Sequence, residues 1–454
     1  MSEKIENIGK SDVIWSYAAT FFMVGAGVIL LPFILHKMPS ETVGIWNIFQ
    51  VITSLILMLD FGFRSTFARN ISYIFSGVKQ LQAEGVKHIQ SDSSETDYNL
   101  LKGALIAMRR FYRYIALAAF VLLSTLGTAY FVFLLNKYDG DHQDAIIAWL
   151  LLITINCYNL YTFYYDALMI GKGYIKRTQQ IMIIGQVIYL SVAITLIYLG
   201  LGLSAIVSAQ LLSALVRRWL AYRVFFTPSL KASLAQAEPH DPRAIMKAIY
   251  PNAVKMGLTQ VGAFAVNKSS ILLGSAFLSL EQVAAYGITL QVMEVLRHTS
   301  KVPYQSFLPK LANMRASNDI IGLRKYYLLN VLSVLLVYVV GGLVWVLAGD
   351  WALRLIDSQT MFIPTAMLIV SIIIAYLEDN HSTAAGFIMA DNKIPFFIPS
   401  LISGAATILL LWIFLGPLHW GLWGMVLASG IAQIAYQNWK WPSVVIRELW
   451  FSRT

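Results

Sequence analysis

One cysteine, Cys157, stands in the whole chain, so no intramolecular disulfide can form and cysteine usage says nothing about redox compartment. Charge is scarce as well: Asp, Glu, Lys and Arg make up 13% of the residues, about half the share in soluble domains. No GxxxxGK[ST], HExxH or CxxC occurs, and no hydrophilic stretch is long enough to house an ATPase. These absences remove the common nucleotide-phosphate, zinc-peptidase and thiol-redox chemistries, and neither a cofactor nor a metal is expected. What fills the chain is apolar: 57% hydrophobic residues and a mean hydropathy of +0.64, far outside the range of soluble globular domains.

A helix needs about 20 apolar residues to cross a hydrocarbon core of about 30 Å. Twelve such stretches are present, near residues 13–35, 43–63, 111–135, 145–170, 179–199, 203–226, 248–275, 282–303, 326–348, 360–389, 395–416 and 420–445. Barrel strands would be short alternating runs; continuous runs of this length are helices that satisfy their own backbone groups. The expected fold is an all-α polytopic membrane protein of twelve transmembrane helices. Span one lacks a small-residue cleavage site and reads as a retained helix, not a signal peptide.

Basic residues mark the cytoplasmic side. Arg64, Arg69, Arg109, Arg110, Arg113, Lys172, Lys176, Arg177, Arg217, Arg218 and Arg223 fall with many others beside the ends of even-numbered spans, against only Lys37, Lys137 and Arg354 opposite. Both termini are therefore expected in the cytoplasm. The net charge of +10 is spread over many short loops, which argues topology and not a nucleic-acid partner. The hydrophilic stretch from Ser76 to Lys102 reads as a short interfacial helix followed by a loop.

At an offset of 240, Glu41, Val43, Gly44 and Trp46 fall on Glu281, Val283, Ala284 and Tyr286, and a looser match at about 219 sets Ile170–Ile175 on Met389–Ile394. Two six-helix halves follow, residues 1–226 and 248–454, joined by a cytoplasmic linker at 227–247. Because six is even, the halves insert with the same orientation, and a cleft between them suits alternating access.

The polar residues inside spans define the candidate site. Span seven carries Asn252, Lys255, Gln260 and Lys268. A lysine at bilayer depth costs at least about 2.5 kcal/mol and faces a polar interior unless it snorkels to the headgroups. A cationic cleft attracts phosphate, and Arg64 and Arg297 join the two lysines as candidate phosphate ligands. Asp60 and Arg64 are one helical turn apart, and Glu294 precedes Arg297 similarly; with Asp166 they form either a gate that exchanges ion pairs or static helix-end pairs. In span four, Tyr158, Tyr161 and Tyr165 share a stripe beside Asn159, which suits sugars or, alternatively, an interfacial belt. In span ten, Glu378, Asp379 and His381 read as an ion-coupling cluster or as polar residues of a broken helix.

Glu41-Thr42-Val43-Gly44-Ile45-Trp46 between the first two spans, Leu59-Asp60-Phe61-Gly62-Phe63-Arg64-Ser65-Thr66-Phe67-Ala68-Arg69 at the end of the second, and the two-half plan resemble the polysaccharide transporters (O-antigen, Wzx-type) of the MOP flippase superfamily, relatives of the MATE exporters and lipid II flippases. The resemblance implies a V-shaped pair of six-helix bundles in the bacterial inner membrane that flips an undecaprenyl-pyrophosphate-linked oligosaccharide to the periplasmic leaflet. It implies no enzymatic step, a proton or sodium ion as a candidate coupling partner, and action as a monomer beside the polysaccharide polymerase machinery. The two extra spans usual in lipid II flippases are missing. The alternative is a MATE-like cation or drug antiporter, which fits Glu378 and Asp379 but not the basic residues.

Overall fold

The computed structural model describes residues 10–77, 96–304, 311, 314, 319–389 and 395–451; a few side chains within helices, those of Asn252 and Lys255 among them, lie outside that description. Among the described residues no strand occurs, and every expected span falls on a helix or on two consecutive ones. In chain order these are α1 (Lys10–Lys37), α2 (Ser40–Leu57), α3 (Phe63–Phe75), α4 (Tyr98–Leu122), α5 (Thr128–Leu135), α6 (His142–Thr162), α7 (Tyr164–Gly171), α8 (Ile175–Tyr198), α9 (Leu203–Phe225), α10 (Pro228–Gln236), α11 (Pro242–Phe277), α12 (Leu280–Ser300), α13 (Ile320–Leu355), α14 (Thr365–Met389), α15 (Phe397–Leu415), α16 (Leu422–Ile434) and α17 (Gln437–Ile446). Among the described residues seven spans are long and apolar enough to cross a membrane on these grounds alone, so the chain is a multi-pass membrane protein. The other five are helical at the expected positions but carry ionisable side chains or, in the last, an interruption between α16 and α17. The expected interfacial helix falls largely outside the described residues, and α10 occupies part of the linker.

Local chemistry sets the helix starts. Asp97, Asp141 and Asp319 cap α4, α6 and α13 by accepting from backbone N–H groups of the first turn, and Ser279 with Gln282 forms a capping box at α12. One cap is tertiary: Asp144, on α6, accepts from the backbone N–H of Leu203 (2.6 Å) and Ser204 (3.2 Å), holding the start of α9 against α6.

By contacts the chain divides into two compact units. Unit one is Met1–Ile34 with Ile52–Leu258, and unit two is Leu35–Val51 with Thr259–Thr454, so α1, α2 and α11 each contribute to both. In unit one α8 packs on α9, α6 on α4 and α9, and α3 on α7; in unit two α15 packs on α16, α14 on α13 and α17, and α12 on α13.

The second span is not continuous. After α2 a single 3₁₀ turn at Met58–Asp60 leads into Phe61 (φ 45°) and Gly62 (φ 73°), both left-handed, before α3 begins. Glycine takes that conformation freely, whereas for Phe61 it is strained. Gly257 of α11 permits the bend: a Cβ there would lie 2.7 Å from Phe61 Cα.

Candidate functional site

In unit one the break at Phe61-Gly62 reorients every charge that follows. The Asp60 carboxylate does not pair with the Arg64 guanidinium, as their spacing suggests. It accepts from the Arg64 backbone N–H at 3.2 Å through both oxygens and from the Tyr112 hydroxyl of α4 at 2.7 Å. Asp60 is thus a buried cap for α3, and the Arg64 side chain reaches across to Asp166 of α7, 3.7 Å away. Asp166 is gripped more firmly by Arg218 of α9, which donates from both guanidinium nitrogens, Nη2 at 3.2 Å. The Phe163 ring lies beneath both cations, 5.0 Å from Arg64 and 5.8 Å from Arg218.

These groups line a cavity of about 760 Å³ within unit one. Its charged lining is Arg64, Arg69, Arg217 and Arg218 against the single carboxylate of Asp166, and Met169, Ile170, Ile181 and Met182 form an apolar wall beside them. Arg217 Nε is buried without an acceptor among the described residues. Among the described residues, four guanidinium groups and one carboxylate give the lining a net charge of +3, which attracts anions and repels cations.

Of the residues expected to meet sugars, Asn159 lines this cavity. Tyr165 does not: its ring stacks on Tyr164 at 4.3 Å and meets Tyr222 and Phe226 edge-on. Tyr161 is 38% exposed, with its ring edge on Tyr164, and Tyr158 is half-buried. The stripe is therefore split, because Tyr222 of α9 and Phe226 just past its end pack beside Tyr165. Gln260 is exposed, and the side chains of Asn252 and Lys255 lie outside the described residues.

Unit two holds a second constellation, balanced in charge. Lys268 of α11 pairs with Glu294 of α12 at 2.9 Å, so its ammonium is directed to a protein carboxylate. Arg297, one turn further along α12, reaches Glu294 at 3.6 Å, Glu378 of α14 at 3.1 Å and Asp379 at 3.3 Å. Lys301 closes on Asp379 at 3.2 Å, and the hydroxyls of Tyr338 (2.7 Å) and Ser300 (3.3 Å) donate to the other oxygen of that carboxylate. A cavity of about 50 Å³ lies beside Lys268, Glu294, Arg297 and Glu378. His381 makes its side-chain hydrogen bond to α17: its Nδ1 is 2.8 Å from the Asn438 amide oxygen. Span ten is one unbroken helix through all three residues. Among the described residues, no group of three metal-ligating side chains converges.

Three arginines of the unit-one cavity, Arg69, Arg217 and Arg218, read in the sequence as cytoplasmic topology markers. Arg217-Arg218 lies inside α9, and an adjacent cationic pair within an apolar span was the available signal. Tyr112 and Tyr338, each holding a buried carboxylate, carried no comparable signal.

No protein-family model matches the sequence, and no curated protein does. Solved structures match along the whole chain. An inward-facing multidrug resistance MATE family transporter of the MOP superfamily is 15% identical, with 96% of each chain covered and a TM-score of 0.62. The MATE multidrug transporter DinF-BH, in complex with a ligand, is 16% identical over 100% of both chains, with a TM-score of 0.61. A MATE protein in its straight conformation is 15% identical over 97% of this chain and 96% of that one, with a TM-score of 0.54. The chain is thus similar in fold to the MATE transporters of the MOP superfamily.

Proposed function

We propose that the protein is a flippase that carries an undecaprenyl-pyrophosphate-linked oligosaccharide from the cytoplasmic to the periplasmic leaflet of the bacterial inner membrane by alternating access, with the halves 1–226 and 248–454 as its moving parts and both termini in the cytoplasm. The observation that supports this reading is the unit-one cavity, about 760 Å³ with four arginines facing one carboxylate. A pyrophosphate offers the several anionic oxygens that arginine forks recognise, and the adjoining apolar wall suits the first isoprene units. Moving one elementary charge through 100 mV is worth about 2.3 kcal/mol. A doubly charged headgroup leaving a negative-inside cell therefore gains about 4.6 kcal/mol from the potential at that voltage. Potential coupling is sufficient in principle, and a proton or sodium ion is an additional candidate.

The cation or drug antiporter is the second reading, favoured by the likeness in fold to MATE multidrug transporters. Charge weighs against it. The unit-one lining repels a cation, and in unit two the carboxylates Glu294, Glu378 and Asp379 are matched by Lys268, Arg297 and Lys301. A membrane-embedded glycan polymerase or ligase would draw its catalytic groups from a large periplasmic loop, yet α13 ends at Leu355 and α14 begins at Thr365. Surface polysaccharide measured in a deletion strain, with and without the gene restored, separates these readings. Loss and recovery of surface glycan is the expected outcome; unchanged glycan with greater sensitivity to cationic drugs would sink the flippase reading.

A further inference from the structure

The unit-one cavity holds a carboxylate where an anion should bind. Among the described residues Asp166 is the one acidic residue in its lining. Both of its oxygens are taken by Arg218, and Arg64 stands 3.7 Å from Oδ2. This is the fork-on-fork geometry with which arginine holds carboxylate and phosphate alike. The Asp166 side chain keeps 28% exposure, toward the cavity it lines. Asp60 next to it is 7% exposed and fixed by Tyr112 and the α3 backbone. Arg217 Nε meanwhile is buried with no acceptor among the described residues. One carboxylate cannot serve Arg218, Arg64 and Arg217 together; a diphosphate has oxygens enough.

We propose that Asp166 is an internal anion that occupies the phosphate position of this cavity and is displaced from Arg218 and Arg64 by the diphosphate of the substrate. The identity of that substrate rests on the flippase reading, whereas the displacement rests on the cavity alone. No covalent bond changes; one set of ion pairs replaces another. Asp166 lowers the affinity of the empty site for small anions such as inorganic phosphate, which engage too few arginines to compete with a tethered carboxylate. It also assists release, since its return to Arg218 opposes the departing headgroup's rebinding.

The test is calorimetric titration of wild-type and Asp166→Asn protein in nanodiscs with inorganic pyrophosphate and, separately, farnesyl diphosphate. Asparagine keeps the shape of the side chain and removes its charge. Asp166→Asn should bind both ligands at least tenfold more tightly than wild type; equal or weaker binding overturns the proposal. Tighter binding of farnesyl diphosphate than of pyrophosphate assigns the site to a lipid headgroup, and equal binding assigns it to the free diphosphate, the displacement standing in both. A measurement on the wild-type protein covers a variant that fails to fold: carbodiimide-driven labelling of carboxylates with glycine ethyl ester, read by mass spectrometry. Saturating farnesyl diphosphate should raise labelling of Asp166 several-fold and leave Asp60 unlabelled, whereas unchanged or reduced Asp166 labelling refutes displacement. Failure of the flippase reading would look different, with Asp166→Asn binding diphosphate tightly while the gene has no effect on surface polysaccharide.

Discussion

Arg297→Ala removes the cation that touches all three acids of unit two, at 3.6 Å from Glu294, 3.1 Å from Glu378 and 3.3 Å from Asp379. The arginine side chain is 19% exposed and that of Asp379 1%. Taking one partner from a buried ion pair costs about 3–5 kcal/mol, because the charge left behind is buried without compensation. The lower end applies here. Asp379 keeps Lys301, Tyr338 and Ser300, and Glu294 keeps Lys268. Glu378, 16% exposed at its side chain, keeps no ion-pair partner among the described residues. The expected loss is therefore about 3 kcal/mol. Arg297→Lys should lose about half as much, since it retains the charge without the fork. Lys268→Ala, whose pair is 30% and 34% exposed, should cost about 1 kcal/mol or less. Melting of the detergent-purified protein, followed by fluorescence-detected size-exclusion chromatography, gives the order wild type, Lys268→Ala, Arg297→Lys, Arg297→Ala. Adding Glu378→Gln to Arg297→Ala should restore part of the loss. If Arg297→Ala melts at or above Lys268→Ala, or if Glu378→Gln recovers nothing, the network does not hold unit two together.

Tyr112→Phe should destabilise unit one by about 1–3 kcal/mol, because Asp60 is buried and loses the hydroxyl that donates to it at 2.7 Å; chemical denaturation in mild detergent would measure it, and a change near zero would mean that Asp60 finds a substitute. Gly257→Ala should cost about 1–3 kcal/mol by forcing α11 off the Phe61 bend, whereas Gly25→Ala, with open space around it, should be tolerated; equal melting temperatures for the two would contradict the close approach. Lys255→Ala should lower glycan export while the protein stays in the membrane, with Lys255→Arg retaining more; normal export by the alanine variant would remove Lys255 from the phosphate path.

Span positions are legible because an apolar run of membrane length leaves the backbone little choice but helix: the sequence predicts a span over 179–199, and Ile175–Tyr198 is found. The site is legible in kind more than in detail. Asp60 and Arg64 look like an ion pair one turn apart only if the helix continues. The left-handed Phe61-Gly62 step, supported from α11 by Gly257, sends the guanidinium elsewhere, and such tertiary support has no local pattern. Arg217 and Arg218 are hidden for another reason: proximity to a cytoplasmic helix end gives them a sufficient explanation as topology signals. Their burial argues for a second role by the same desolvation logic that singles out Lys268. The tyrosine stripe fails because helical spacing tells which residues share a face and not which neighbour that face meets.

The two units solve the problem of buried charge in parallel ways and then diverge. In each, a tyrosine from the third span of a half, Tyr112 or Tyr338, donates at 2.7 Å to a deeply buried aspartate, Asp60 or Asp379. In each, an arginine near that aspartate extends to a more accessible acid, Arg64 to Asp166 (28% exposed) and Arg297 to Glu294 (34%). The fixed aspartates are scaffolding, since a buried carboxylate held by a tyrosine hydroxyl and, for Asp379, flanked by Arg297 and Lys301 has little to gain from an exchange of partners. The difference lies in what surrounds the accessible acid. Around Glu294, cations and anions are matched and the cavity is about 50 Å³, room for a few water molecules. Around Asp166, an excess of three positive charges lines about 760 Å³. Arg64 and Arg69 are exposed, whereas Arg218 is buried, and a buried cation is costly unless an anion compensates it. That asymmetry favours the unit-one arginines as the phosphate ligands and leaves the unit-two network as the rigid counterpart.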